Sequence, residues 1–107
     1  PWRHREVSRM RVILHGPVTA DHLADAELMA GITPTSFVTN GLSHPPRGSR
    51  LPVDVYPICP MQPVETRERA RNYTLVFHSD ALVCAGGNDH LVSLARNYNL
   101  LIYEVNP

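Results

Sequence analysis

Several residues in this chain could handle an anion. Ala81-Leu82-Val83-Cys84 is a short apolar run, the pattern of a strand buried on both faces of a parallel sheet. Gly86-Gly87 follows, and Asn88 or Asp89 is placed to cap a helix that continues to about Tyr98. Strand, glycine turn and helix N-terminus in that order can hold a phosphate, because free N–H groups and the helix dipole point the same way. The glycines either cradle such an anion or only permit a tight turn. Arg71, on a predicted helix over residues 65–78, either clamps a phosphate or pairs with Glu68 or Glu65 on its own helix. His15, at the end of another apolar run, is either a crevice contact or a hydrogen-bonded structural residue. Six histidines, at 4, 15, 22, 44, 78 and 90, show no metal-ligand spacing, and no cysteine pair supports zinc. Every basic residue is an arginine, so neither a Schiff-base lysine nor a phosphate-loop lysine exists.

The elements that must position these groups follow from the apolar runs and their punctuation. Arg11–His15 (RVILH), closed by Gly16-Pro17, predicts a first strand. Thr19 or Asp21 starts a helix to Ala30, and Gly31 stops it. Thr33-Pro34 forces an extended link into a second strand, Ser36–Thr39, which ends at Asn40-Gly41. Residues 40–52 are loop by composition, and Val53–Tyr56 is a third strand. Pro57, Pro60 and Pro63 then forbid regular structure until the long helix. Asn99 can take a left-handed stop, and Leu100–Val105 is the last strand.

Alternating strands and helices predict an α/β fold, a Rossmann-like three-layer parallel sheet of about five strands. Right-handed crossovers wound in two directions give strand order 3-2-1-4-5, with the switch point between strands one and four. Any ligand belongs there, beside His15-Gly16-Pro17 and Ala85-Gly86-Gly87, with Asn40-Gly41 alongside. The second-to-third crossover has only thirteen residues and no room for a helix. One face of the sheet near strands two and three is therefore expected to be poorly covered, and an uncovered apolar face invites a partner.

At 107 residues the chain is expected to form a single domain over 11–107, preceded by a basic arm over 1–10. The charge is balanced, ten basic against ten acidic, which gives no footprint for nucleic acid. No apolar run approaches the roughly 20 residues of a membrane span. Two cysteines make no disulfide framework, and Cys84 reads as a small core residue. The arm is Arg-rich and acid-poor. That composition fits either a solvated arm or tag remnant, or the mature end of a protein imported into the mitochondrial matrix after transit-peptide removal.

Taken together, these residues resemble the SLOG superfamily, Rossmann-like nucleotide-binding domains that include the LOG-type nucleoside-monophosphate phosphoribohydrolases. They are most similar to its small single-domain branch. The resemblance covers about Arg11 to Val105. It rests on RVILHG, on Gly31-Ile32-Thr33-Pro34, on Asn40-Gly41, on Leu51-Pro52-Val53, on Arg71-Asn72, on Ser79-Asp80-Ala81-Leu82-Val83 and on the last strand, all in family order. Arg71 stands eight residues before Ser79, as the family's arginine does. The family's Pro-Gly-Gly-x-Gly-Thr loop is here Ala85-Gly86-Gly87-Asn88-Asp89-His90, and Val92 and Ser93 stand near the expected glutamates. The carboxylate that would stabilise a ribosyl cation or activate water is missing. The phosphate turn after strand two reads Asn40-Gly41-Leu42-Ser43-His44-Pro45-Pro46, whose prolines offer no N–H. Asp89 near a bound phosphate would cost roughly 4 kcal/mol per unit charge at about 4 Å and a dielectric near 20.

The resemblance therefore implies a degenerate, non-enzymatic SLOG-type domain with no catalytic residues, no cofactor and no metal. Its first expected role is as an accessory or structural subunit of a larger assembly. Trp2, Arg3, Arg5, Pro45, Pro46 and Arg47 are its candidate partner contacts. The alternative is a sensor or sponge that keeps a nucleotide-derived or ADP-ribose-like ligand on Gly16, Asn40, Gly41, Arg71, Gly86 and Gly87. Phosphoribohydrolase activity is the least favoured expectation.

Overall fold

The computed structural model describes residues 9–57 and 63–105, without the side chains of Val64, Glu65 and Asp89. Trp2, Arg3, Arg5 and Cys59 thus lie outside the described residues. The elements are β1 (Arg11–His15), α1 (Ala20–Ala30), β2 (Ser36–Thr39), β3 (Val53–Val55), α2 (Val64–Phe77), β4 (Ala81–Cys84), α3 (Asp89–Asn97) and β5 (Leu101–Glu104). All strands are parallel, in the order β3-β2-β1-β4-β5. The predicted architecture and its switch point between β1 and β4 are therefore present.

Register explains why the central strands are apolar throughout. Val12, Leu14, Phe37, Ala81 and Val83 form one core layer with Val18, Ala26 and Ile32, against α1. Ile13, Val38, Leu82 and Cys84 form the other, with Leu75 and Val76 of α2 and Leu91, Val92, Leu94 and Ala95 of α3. A strand covered on both sides has no polar face to alternate with. Cys84 is buried in the second of these layers, as its neighbours predict, and its Sγ donates to the Gly86 carbonyl.

The helix ends follow local chemistry. Thr19 caps α1 by accepting from the His22 N–H, and His22 Nδ1 accepts in turn from the Thr19 N–H at 3.0 Å. That is a capping box with histidine in the place usually taken by Glu or Gln. Gly31 ends α1 at φ 70°, and Asn99 takes φ 62° after α3. Asn88, rather than Asp89, caps α3 through its side chain, which accepts from the Leu91 N–H.

The open sheet face expected near β2 and β3 is present at β3, where Val53 and Val55, on one face of the strand, are exposed. It does not extend to Phe37 and Val38 of β2, which are buried. β3 is short, carries Asp54 and is flanked by Pro52 and Pro57, features that discourage edge pairing. It is tied in by Arg11, whose guanidinium reaches Asp54 at 2.8 Å and the Tyr56 hydroxyl at 3.3 Å. Tyr56 stacks on His78 at the end of α2, with ring centroids 5.2 Å apart.

The two loops at the switch point touch backbone to backbone. A Cβ on Gly16 would lie 2.9 Å from the Gly86 nitrogen and 3.0 Å from the Ala85 carbonyl carbon, and Gly16 sits at φ +81°. Gly16→Ala should therefore lower stability by about 1–3 kcal/mol, read from denaturant unfolding, through both strain and clash. A variant as stable as the parent would contradict this packing.

Candidate functional site

Two features meet above the carboxyl ends of β1 and β4. The first is a cleft of about 510 Å³ lined by His15, Gly16, Pro17, Val18, Asn40, Leu42, Ser43 and His44. Its size suits a small-molecule site. The second is the turn Ala85-Gly86-Gly87 with the N-terminus of α3, a helix that packs on α2, which carries Arg71. Gly86, Gly87 and Arg71 do not line the cleft. His15 lines the cleft, and the Gly87 backbone of the turn favours its protonated form.

Asn40 lines the cleft and Gly41 does not, and their loop is turned on itself. Asn40 Oδ1 accepts from the Leu42 and Ser43 N–H groups at 2.7 and 3.3 Å. The Gly41 N–H donates to Thr39 Oγ1, and the Gly16 N–H to Ser43 Oγ at 2.9 Å. These four donors are already satisfied, so they do not stand open to an anion. Ser43, buried at the centre of that arrangement, is a residue the sequence pattern does not single out. Pro45 and Pro46 are half-buried and Arg47 is exposed beyond it.

The β4–α3 side is different. Gly87 is exposed, lies outside the left-handed region, and a Cβ there would meet nothing within 4 Å; one on Gly86 would lie 3.9 Å from the Gly16 Cα. Neither glycine is needed for the turn's backbone shape. The tight-turn reading of this pair therefore fails, and open space beside a helix N-terminus remains. Val92, near a family glutamate position, is buried in the core, and Ser93 is exposed. His90 is held from α2, with Asn72 Nδ2 and His90 Nδ1 3.0 Å apart and Tyr73 edge-on to its ring.

Arg71 is only 7% exposed, and its Nε is buried without a hydrogen-bond partner. Among the described residues no carboxylate closes an ion pair on it; Glu68 acts only as a nearby charge. Burial holds the guanidinium below its ordinary value and Glu68 opposes that shift. Buried arginines are ordinarily paired. Burial, and next the Arg71 charge, hold His15 below its ordinary 6.5; the bond to Gly87 and the Glu68 charge pull the other way.

Among the described residues no group of three or more metal-ligating side chains exists, and no helix is long and apolar enough to cross a membrane. No family model matches the chain, and no curated protein or solved structure matches it.

The His15 shift has a consequence for folding. A histidine harder to protonate in the folded state means that the unfolded chain binds more protons as pH falls through 6.5. Stability should therefore decline with acidification from that point, and His15→Gln should flatten this part of the profile. Unfolding midpoints between pH 5 and 8, of the order that brackets a histidine, check this; identical slopes in both proteins would contradict it.

Proposed function

We propose that this chain is a non-enzymatic Rossmann-type module that binds a small phosphate-bearing, nucleotide-derived ligand at the β1/β4 switch point. The observation that carries this reading is Arg71. Its Nε is buried without a partner and no carboxylate pairs with it among the described residues, which is costly to the fold, and an arriving phosphate would supply a partner. Gly86 and Gly87 leave room for the phosphate's approach, and the α3 N-terminus adds its dipole. Such a position is where open parallel sheets bind ligands. The assignment to a degenerate SLOG-type domain rests on the residues quoted above, with the strand order as fold-level support.

The absence of a carboxylate at Val92 and Ser93 supports binding without turnover. A second reading, an accessory subunit held by partner proteins, draws on exposed apolar side chains. Leu28 and Met29 on α1 are 81% and 74% exposed, and Phe77 at the end of α2 is 78% exposed. The two readings are compatible, since these residues lie away from the crevice.

Titration calorimetry with AMP and ADP-ribose tests the first reading. Micromolar binding is expected, and Arg71→Met should weaken it at least tenfold, about 1.4 kcal/mol. The same variant should match or exceed the parent in stability, because it removes an uncompensated buried charge. Gly87→Ala should also weaken binding while leaving the unfolding midpoint in place. Unchanged affinity in both variants would defeat the proposal.

A further inference from the structure

The cleft beside the glycine turn suits something other than an anion. Gly16 lines it and also meets the turn backbone to backbone, since a Cβ on Gly16 would lie 2.9 Å from the Gly86 nitrogen. Cleft and turn are thus neighbouring compartments of one crevice, joined at a single residue. Backbone donors of the cleft wall are occupied: the Gly16 N–H donates to Ser43 Oγ, and the Leu42 and Ser43 N–H groups to Asn40 Oδ1. We infer that the cleft takes an uncharged planar ring, the base of a nucleoside monophosphate whose phosphate sits at the Gly86-Gly87 turn, and that it accepts any of the common bases. This deepens the ligand-binding reading above and rests on it.

Size and surface favour a ring. A cleft of about 510 Å³ lies within the range of small-molecule pockets, and the phosphate, held on the turn, takes up none of it. Its carbon surface comes from Pro17, Val18 and Leu42. Leu42 is 79% exposed, although Asn40 and Ser43 of the same loop are buried. A loop fastened by its own hydrogen bonds therefore holds a large apolar side chain bare at the rim of the cleft. A flat ring lying against it would remove that surface from water.

The polar lining explains the breadth. Telling one base from another takes donors and acceptors fixed in place, so that the wrong ring leaves them unpaired. Asn40 Oδ1 already accepts two N–H groups and Ser43 Oγ accepts one, so neither is kept for a particular base edge. Beyond that loop's own side chains, the polar side chains of the lining are His15, at the end of β1, and His44, from the β2–β3 loop. A neutral imidazole carries one donor and one acceptor nitrogen, and its tautomer can follow the ligand. Two such groups can meet the edges of all the common bases.

The test is calorimetry of the full chain with AMP, GMP, CMP, UMP and ribose 5-phosphate, which keeps the sugar and phosphate but lacks the base. The nucleotides should bind within about tenfold of one another, and each more than about tenfold tighter than ribose 5-phosphate. Leu42→Ser, at an exposed position, should fold as the parent does. It should weaken AMP by about three- to tenfold and leave ribose 5-phosphate unchanged. Ribose 5-phosphate binding within tenfold of AMP, or one base preferred beyond tenfold, would overturn the inference and leave the phosphate reading standing. So would a Leu42→Ser variant that keeps the parent's affinity for AMP or weakens both ligands equally. Failure of AMP and ribose 5-phosphate alike to bind would overturn both.

Discussion

A guanidinium nitrogen that water cannot reach needs a partner, and among the described residues the Nε of Arg71 has none. Arg71 of α2 is buried, and the Glu68 charge acts on it without an ion pair between the two. Much of the local arrangement reads as a consequence. Gly86 and Gly87 put no side chain in the turn before α3, the helix dipole adds to the positive field, and burial and then the Arg71 charge hold His15 below its ordinary value. Replacing the cation with an apolar side chain of similar length would relieve the strain. Keeping it makes sense if something negative visits.

The two sides of the crevice have diverged in their physics. On the β1–β2 side, Thr39, Asn40 and Ser43 side chains consume the backbone donors of residues 16 and 41–43. That loop is a self-satisfied wall, closed off as firmly as the prolines after it imply. On the β4–α3 side, only the Leu91 N–H is taken up by the Asn88 cap among the described side chains. The backbone contact between Gly16 and Gly86 locks the two sides together, so the open half is positioned by the closed half. A single anion-binding half-site fits this asymmetry better than a site that grips a ligand from both loops.

Sheet order was legible because each signal had one physical meaning. Four-residue apolar runs separated by helices allow only parallel pairing, and handed crossovers then leave one order. Gly31 and Asn99 stop their helices where left-handed backbone is required. Other features depend on contacts that no local pattern carries. Arg71 could equally have met Glu68, and only packing shows that it does not pair. His22 looked like one more histidine but completes the α1 cap. Ser43 lies in a loop that composition marks as featureless, yet it bridges to β1. The open face reaches β3 but not β2, because Phe37 packs with Ile32 and Val18 without a helix of its own crossover.

The most direct test of the central claim is the melting temperature of the full chain with saturating AMP, set against the same concentration of adenosine. A ligand that binds only the folded state stabilises it by about 2.7 kcal/mol at a hundredfold excess over Kd. The account predicts a clear upward shift with AMP and none with adenosine, because the phosphate is what Arg71 lacks. No shift with AMP, or equal shifts with both, would contradict it.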